Sequence, residues 1–88
     1  MTSLDQILHA LQRFQQRATY GAVGAVVGWP ARSVMLGRPR DPLHSWVVRK
    51  SDGQPTGYDD RQKDPDLLAR SRVITSGQEL SAWLEAPG

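Results

Sequence analysis

The chain has 88 residues, of which 39% are hydrophobic and 23% are charged, a balance typical of one small globular domain with a single core. It contains no cysteine, which excludes disulfides, thiolate metal ligands and a cysteine nucleophile. The net charge of +2 is unevenly distributed: residues 20–51 carry five basic residues against one acid, whereas residues 52–88 carry four basic residues against seven acids. The basic block is rich in arginine, which suits planar contacts with phosphates.

The first predicted element is an amphipathic helix that begins after Ser3. Apolar residues recur at helical spacing from Leu4 to Phe14, and Ser3 with Gln6 forms a capping-box pattern. His9 lies outside the apolar stripe and is expected to be a plain surface residue.

No apolar run approaches the roughly 20 residues needed to cross a bilayer, and the first residues do not have the basic character of a signal peptide. We therefore expect a cytoplasmic protein without membrane contact.

A second helix is predicted from Tyr20 to Val27, with Thr19 as its N-cap and Gly28 as its C-terminal stop. Gly21 and Gly24 each lower the stability of this helix by up to ~1 kcal/mol relative to alanine. Their presence indicates that another helix or a phosphate backbone approaches this helix closely.

Pro30 suits the first position of a third helix that runs through residues 31–37. Two short helices joined by a tight glycine-containing turn are typical of a helix-turn-helix.

After the basic loop RPRDP, the segments Trp46–Val48 and Thr56–Tyr58 are predicted to form a β-hairpin around the turn at residues 51–53. A short helix containing Leu67 and Leu68 is predicted to start at Asp64 and Pro65, and a last helix, capped by Ser76, at about 76–86. The expected fold is α+β: a single winged-helix-like domain over residues 1–88, with a helix-turn-helix, a short β-hairpin and an added C-terminal helix.

The segment ATYGAVGAVVGWPARSV resembles the DNA-binding domain of the O6-alkylguanine-DNA alkyltransferases and the alkyltransferase-like proteins. Their pattern runs T-Y-G-x-[IV]-A, a turn with G-x-P, and then A-R-x-V-G. The segments VVRKSDGQPTGY and DPDLLARSRV are similar to later parts of the same family, so the resemblance covers about residues 4–74. It implies that Tyr20 presses on a backbone phosphate, that Arg32 replaces a rotated base in the stack, and that the recognition helix lies in the minor groove.

The chain departs from the family where the acceptor cysteine is expected. In place of P-C-H-R it has DPLHSWVV, with Leu43, His44 and Ser45 as candidate equivalents, and the glutamate of the family's closing motif falls on Ser71 or nearby. Alkyl transfer to the protein requires a thiolate, because a serine hydroxyl is not nucleophilic without an adjacent base. We therefore predict a protein that is not an enzyme and has no catalytic residue, no metal and no cofactor.

The basic block and the resemblance together predict a DNA-binding site. Its residues are Thr19, Tyr20, Arg32, Ser33, Arg38, Arg40 and Arg49, and a candidate base pocket is formed by His44, Ser45, Trp46 and Tyr58. The expected partner is duplex DNA, either alkylated or distorted, which a monomer recognises without repair and passes to a repair-protein partner. Trp29 and Trp83 are expected to be core or cover residues.

Three other functions remain open from the sequence. A transcriptional regulator would place the helix-turn-helix in the major groove and would normally dimerise on a palindromic site. A degenerate domain used for protein interaction would fill the pocket with side chains and use Trp83 in its contact surface. A hydrolase based on His44 and Ser45 has the least support, because the sequence offers no evident acid partner and adjacent residues seldom face each other productively.

Overall fold

The three helices with the clearest capping signals form as predicted. The computed structural model describes residues 3–67 and 71–86, and within them lie α1 (Leu4–Phe14), β1 (Arg17–Thr19), α2 (Tyr20–Val27), β2 (Val47–Val48), β3 (Val73–Ile74) and α3 (Gly77–Glu85). The capping box of Ser3 and Gln6 is present at α1, and Ser76 caps α3 by accepting a hydrogen bond from the Glu79 N–H. The α+β class is thus confirmed.

The strands form a parallel sheet with β1 in the centre, between β2 and β3. Ala18 of β1 lies opposite Val47 on one side and Ile74 on the other. Parallel neighbours need a crossover connection, and α2 with the loop after it supplies the connection between β1 and β2. α2 also packs against α3, where Gly77 allows a close approach to Ala25.

The predicted β-hairpin is wrong. Val47 and Val48 form a strand, but it pairs in parallel with β1, and no strand forms at residues 56–58. The intervening turn is present, since Arg49 and Gln54 are joined by a 2.9 Å backbone hydrogen bond and Gly53 has a φ of 69°. The buried edge of β1 accepts Val47 and Val48, whereas Gly57, with a φ of 73°, interrupts the extended backbone that a return strand needs.

The predicted third helix is also wrong in its extent. Residues Ala31–Ser33 form a single 3₁₀ turn, and further turns follow as far as Gly37, which has a φ of 76°. Helices this short are marginal without an apolar face, and the segment buries Val34 completely and Met35 only in part. The helix predicted at Asp64 and Pro65 appears as a turn that buries Leu67, while Leu68 lies outside the described residues.

The core lies between the sheet and the helices, and its buried apolar side chains come from every element. They include Ile7, Leu8, Leu11, Val23, Trp46, Ile74 and Leu80. Trp83 packs edge-on against Phe14, with ring centroids 6.0 Å apart, as a half-buried cover on this core. Trp29, by contrast, is 49% exposed and does not pack against the core, so the prediction that it is a core or cover residue is wrong.

Arg17 is a buried cation in the central strand that ties two loops together. Its Nη1 donates to the Gly53 carbonyl at 2.8 Å and its Nη2 to the Ser71 carbonyl at 3.3 Å. Burial lowers the pKa of Arg17, but a guanidinium titrates so far above neutrality that it stays charged. The side chain therefore holds the loop after β2 against the segment that leads into β3.

Candidate nucleic-acid interface

A surface cavity of about 490 Å³ lies beside the start of α2. Three separate parts of the chain line it: the first residue of α2, residues 31–40, and the loop around Thr56 and Tyr58. Five of the predicted site residues meet there, namely Tyr20, Arg32, Arg38, Arg40 and Tyr58. The fold thus brings together an aromatic pair and three cations that the sequence separates.

Tyr20 occupies the first position of α2, because Thr19 caps the helix by accepting the Ala22 N–H at 3.1 Å. The Tyr20 hydroxyl oxygen accepts a hydrogen bond from the Thr56 N–H at 3.0 Å. A phenol that accepts one hydrogen bond still has its own O–H to donate. The contact therefore positions the ring and leaves the hydroxyl proton for an acceptor such as a phosphate oxygen.

The three arginines of the cavity differ in whether an acidic side chain already neutralises their charge. Arg32 and Arg40 are exposed, and neither forms a salt bridge with any residue in the described part of the chain. Arg40 lies over Gly57, where an added Cβ would come within 3.2 Å of its Nε. Arg38 instead pairs with Asp5 at 2.8 Å, and this hydrogen bond and the positive charge lower the pKa of Asp5.

Tyr58 forms the second aromatic wall of the cavity. Its partial burial, assisted by the nearby Asp41 carboxylate, raises the pKa of Tyr58 to about 12. The phenol is therefore protonated at neutral pH and can act as a hydrogen-bond donor. With Tyr20 it provides a partly apolar, partly hydrogen-bonding surface inside a ring of positive charge.

The two glycines of α2 have different surroundings. A Cβ on Gly24 would lie 2.5 Å from the Trp29 carbonyl oxygen, so the close approach predicted for Gly24 is made by the backbone after the helix. Gly21 is exposed, and the nearest atom to its missing Cβ is the Thr19 hydroxyl at 4.0 Å. The surface next to Tyr20 is therefore open to an approaching molecule.

His44, Ser45 and Trp46 are buried and do not line the cavity. They form a 3₁₀ turn directly before β2, in which Trp46 is fully enclosed and its indole N–H finds no hydrogen-bond partner among the described residues. Of the four residues predicted for a base pocket, Tyr58 is thus the one that faces the cavity. The other three turn inward because this 3₁₀ turn leads directly into the buried β2.

The structure supplies the acid partner that the sequence did not reveal for His44. His44 Nδ1 lies 2.6 Å from the Asp41 carboxylate, and although burial raises the pKa of Asp41, the hydrogen bonds from His44 lower it below its ordinary value. Ser45, however, donates its hydroxyl to the Pro42 carbonyl at 2.6 Å, and His44 Nε2 faces Arg38 at 3.4 Å. The three side chains are therefore not arranged as a nucleophilic triad.

The remaining predicted site residues lie outside the cavity lining. Thr19 is buried beneath α2 in its capping role, and Ser33 is half-buried in the 3₁₀ turn. Arg49 makes a two-pronged ion pair with Asp52, with Nη2 and Oδ2 2.5 Å apart. Met35, Leu36 and Thr56 line the cavity instead, and the sequence carries no signal that singles them out.

In the ranges 3–67 and 71–86, no histidine, cysteine and carboxylate side chains cluster in the way that a metal ion requires. None of the helices in these ranges combines the length and the apolar character required to span a membrane. Among known proteins, no family model, curated protein or solved structure matches this chain.

Proposed function

We propose that this protein is a non-enzymatic DNA-binding protein of alkyltransferase-like type, which recognises alkylated or distorted duplex DNA without repairing it. The observation that carries the proposal is that Tyr20, Arg32, Arg40 and Tyr58 line the same cavity. Helix α2, the turn at Gly28 and the 3₁₀ turn after it would act in place of a helix-turn-helix, although no β-hairpin accompanies them in the described part of the chain.

The charges support a polyanionic partner. Arg32 and Arg40 have no acidic partner in the described ranges, so both are available to phosphates without breaking an ion pair. Arginine pairs with phosphate through two parallel hydrogen bonds, and each neutralised phosphate releases condensed counterions. Binding through this surface would consequently weaken steeply as salt is added.

The position of Tyr20 supports a contact with one particular phosphate. Its hydroxyl proton is available for donation, and the open surface at Gly21 leaves room for a backbone beside it. A phosphate held there would place the adjoining nucleotide at the cavity mouth, between Tyr20 and Tyr58. Aromatic faces are suited to stacking against an unpaired base, while the Arg32 guanidinium would replace that base in the duplex.

The nucleophiles of the chain support binding of DNA without alkyl transfer. The chain has no cysteine, and Ser45, one of the three candidate equivalents of the family's acceptor, is fully buried and donates its hydroxyl to the Pro42 carbonyl. The Ser45 hydroxyl does not line the cavity, so it is not presented to a nucleotide there as an alkyl acceptor. The bound lesion would therefore persist and be available to a repair-protein partner.

The test is a salt-titrated binding assay with matched duplexes that contain guanine or O6-methylguanine at one position. We expect salt-dependent binding by the wild type and a loss of affinity in Arg32→Ala and Arg40→Ala. Arg13→Ala is the matched control, because Arg13 is exposed, lies over the Phe14 ring and is outside the cavity. A preference for the modified duplex would indicate that the cavity reads a base.

Other outcomes would contradict the proposal. Equal binding by the wild type, Arg32→Ala and Arg40→Ala would place the DNA contact elsewhere. Dimeric binding to one palindromic sequence would favour a transcriptional regulator. Absence of binding at low salt would favour a domain used for protein interaction.

A further inference from the structure

Among the described residues, two large hydrophobic side chains are exposed, and both belong to the segment between α2 and β2. Leu36 is 80% exposed and Trp29 is 49% exposed. Leu36 lines the cavity, whereas Trp29 does not. Leu36 thus presents most of its apolar side chain to solvent in the lining of a cationic cavity.

The backbone around Leu36 is anchored on both sides. Val34 is buried in the core and Met35 packs against it. The Leu36 N–H donates to the Ser33 carbonyl at 3.3 Å, and Gly37 turns the chain with a φ of 76°. Leu36 therefore stands at the tip of a fixed turn rather than on a loose loop.

The charges around Leu36 indicate which kind of partner would cover its side chain. Leu36 shares the cavity lining with Arg32, Arg38 and Arg40, and no acidic side chain lines it. An apolar protein surface would have to desolvate these guanidinium groups when it covers the leucine. A nucleic-acid duplex satisfies both requirements, because phosphates surround an apolar stack of bases.

Resting on the proposed function, we propose that Leu36 is an apolar wedge that enters between neighbouring base pairs and holds the duplex unstacked beside the nucleotide that faces the cavity. Minor-groove proteins commonly use apolar side chains in this way to open a base step and bend the duplex. The wedge makes no ionic contact, so its contribution to binding is expected to be independent of salt. Flexible pyrimidine–purine steps should accept it most readily.

The experiment uses duplexes with 2-aminopurine at the step next to a mismatch, because the fluorescence of this base rises when it is unstacked. Wild type, Leu36→Ala, Leu36→Met and Trp29→Ala are titrated at several salt concentrations, and melting temperatures establish that each variant folds. We expect the wild type and Leu36→Met to increase the fluorescence. Leu36→Ala should bind about tenfold more weakly at every salt concentration and lose the increase. Trp29→Ala should retain it.

The outcomes separate this inference from the proposed function. If Leu36→Ala unstacks the reporter base as fully as the wild type does, the wedge is refuted while DNA binding stands. The wedge is also refuted if Leu36→Ala changes the salt dependence of binding, because that would indicate a rearranged phosphate contact. If the wild type does not bind duplex DNA at all, the proposed function fails and the wedge fails with it.

Discussion

The Tyr20 hydroxyl accepts the backbone N–H of Thr56 at 3.0 Å, which joins the start of α2 to the loop that carries Tyr58. This contact sets the distance between the two aromatic walls of the cavity. It also orients the remaining O–H of Tyr20, which the proposed function assigns to a DNA phosphate. Arg17 also anchors this loop, because its guanidinium donates a hydrogen bond to the Gly53 carbonyl.

Replacement of Tyr20 by phenylalanine tests this contact. Tyr20→Phe keeps the ring but leaves the Thr56 N–H without its acceptor, and we expect the free energy of unfolding to fall by about 0.5–1.5 kcal/mol. DNA affinity should fall about tenfold or more, because a hydrogen bond to a charged phosphate is worth roughly 1.5–3 kcal/mol. Denaturant unfolding and anisotropy titration measure the two effects. Unchanged DNA affinity would remove Tyr20 from the interface.

The two glycines of α2 should respond oppositely to alanine. Gly24→Ala is expected to destabilise the fold by about 1–3 kcal/mol, because the new Cβ would lie 2.5 Å from the Trp29 carbonyl oxygen. Gly21→Ala should stabilise it by up to ~1 kcal/mol, since alanine favours the helix and its Cβ meets open space. Urea denaturation of both variants provides the comparison. Equal effects would contradict the packing described for the turn after α2.

Asp5 should act as an intramolecular competitor for DNA. It pairs with Arg38 at 2.8 Å, so Asp5→Asn would free this guanidinium and remove one negative charge near the cavity. We expect tighter DNA binding at low salt and a slope of log affinity against log salt that is steeper by about 0.9, the value for one added phosphate contact.

Asp52→Asn serves as the control for Asp5→Asn. It makes the same charge change and also frees an arginine, but its partner Arg49 lies outside the cavity. If both variants raise DNA affinity equally, general charge rather than the release of Arg38 explains the effect.

Tyr58 should make stability depend on pH in the alkaline range. Because the folded protein raises its pKa from 10.0 to about 12, the folded state holds this proton more tightly than the unfolded state. The resulting stabilisation is complete below pH 10 and is lost as the pH rises through 12. Tyr58→Phe should lack this alkaline decline. The free energy of unfolding of the wild type and of Tyr58→Phe, measured from pH 10 to 12, tests this prediction. If both proteins lose stability in parallel as the pH rises, Tyr58 is not the group responsible.

Local sequence signals determined the helices of this protein. Ser3 with Gln6, Thr19 with Gly28, and Ser76 with Glu79 mark helix ends by hydrogen bonds that form within a few residues, so they could be predicted without knowledge of the fold. The arginine-rich block was likewise evident from the sequence, whereas the roles of Tyr20 and Arg32 come from the resemblance to a family and stay predictions.

Only the tertiary structure decided how the strands pair and which side chains meet at the cavity. Val47 and Val48 join β1 because its edge buries them better than a local hairpin would, and no nearby residue signals that choice. The same competition for the core turns His44 and Trp46 inward and leaves Leu36 outside. Strand pairing and side-chain burial depend on contacts between residues far apart in the chain, so they cannot be predicted from a short segment.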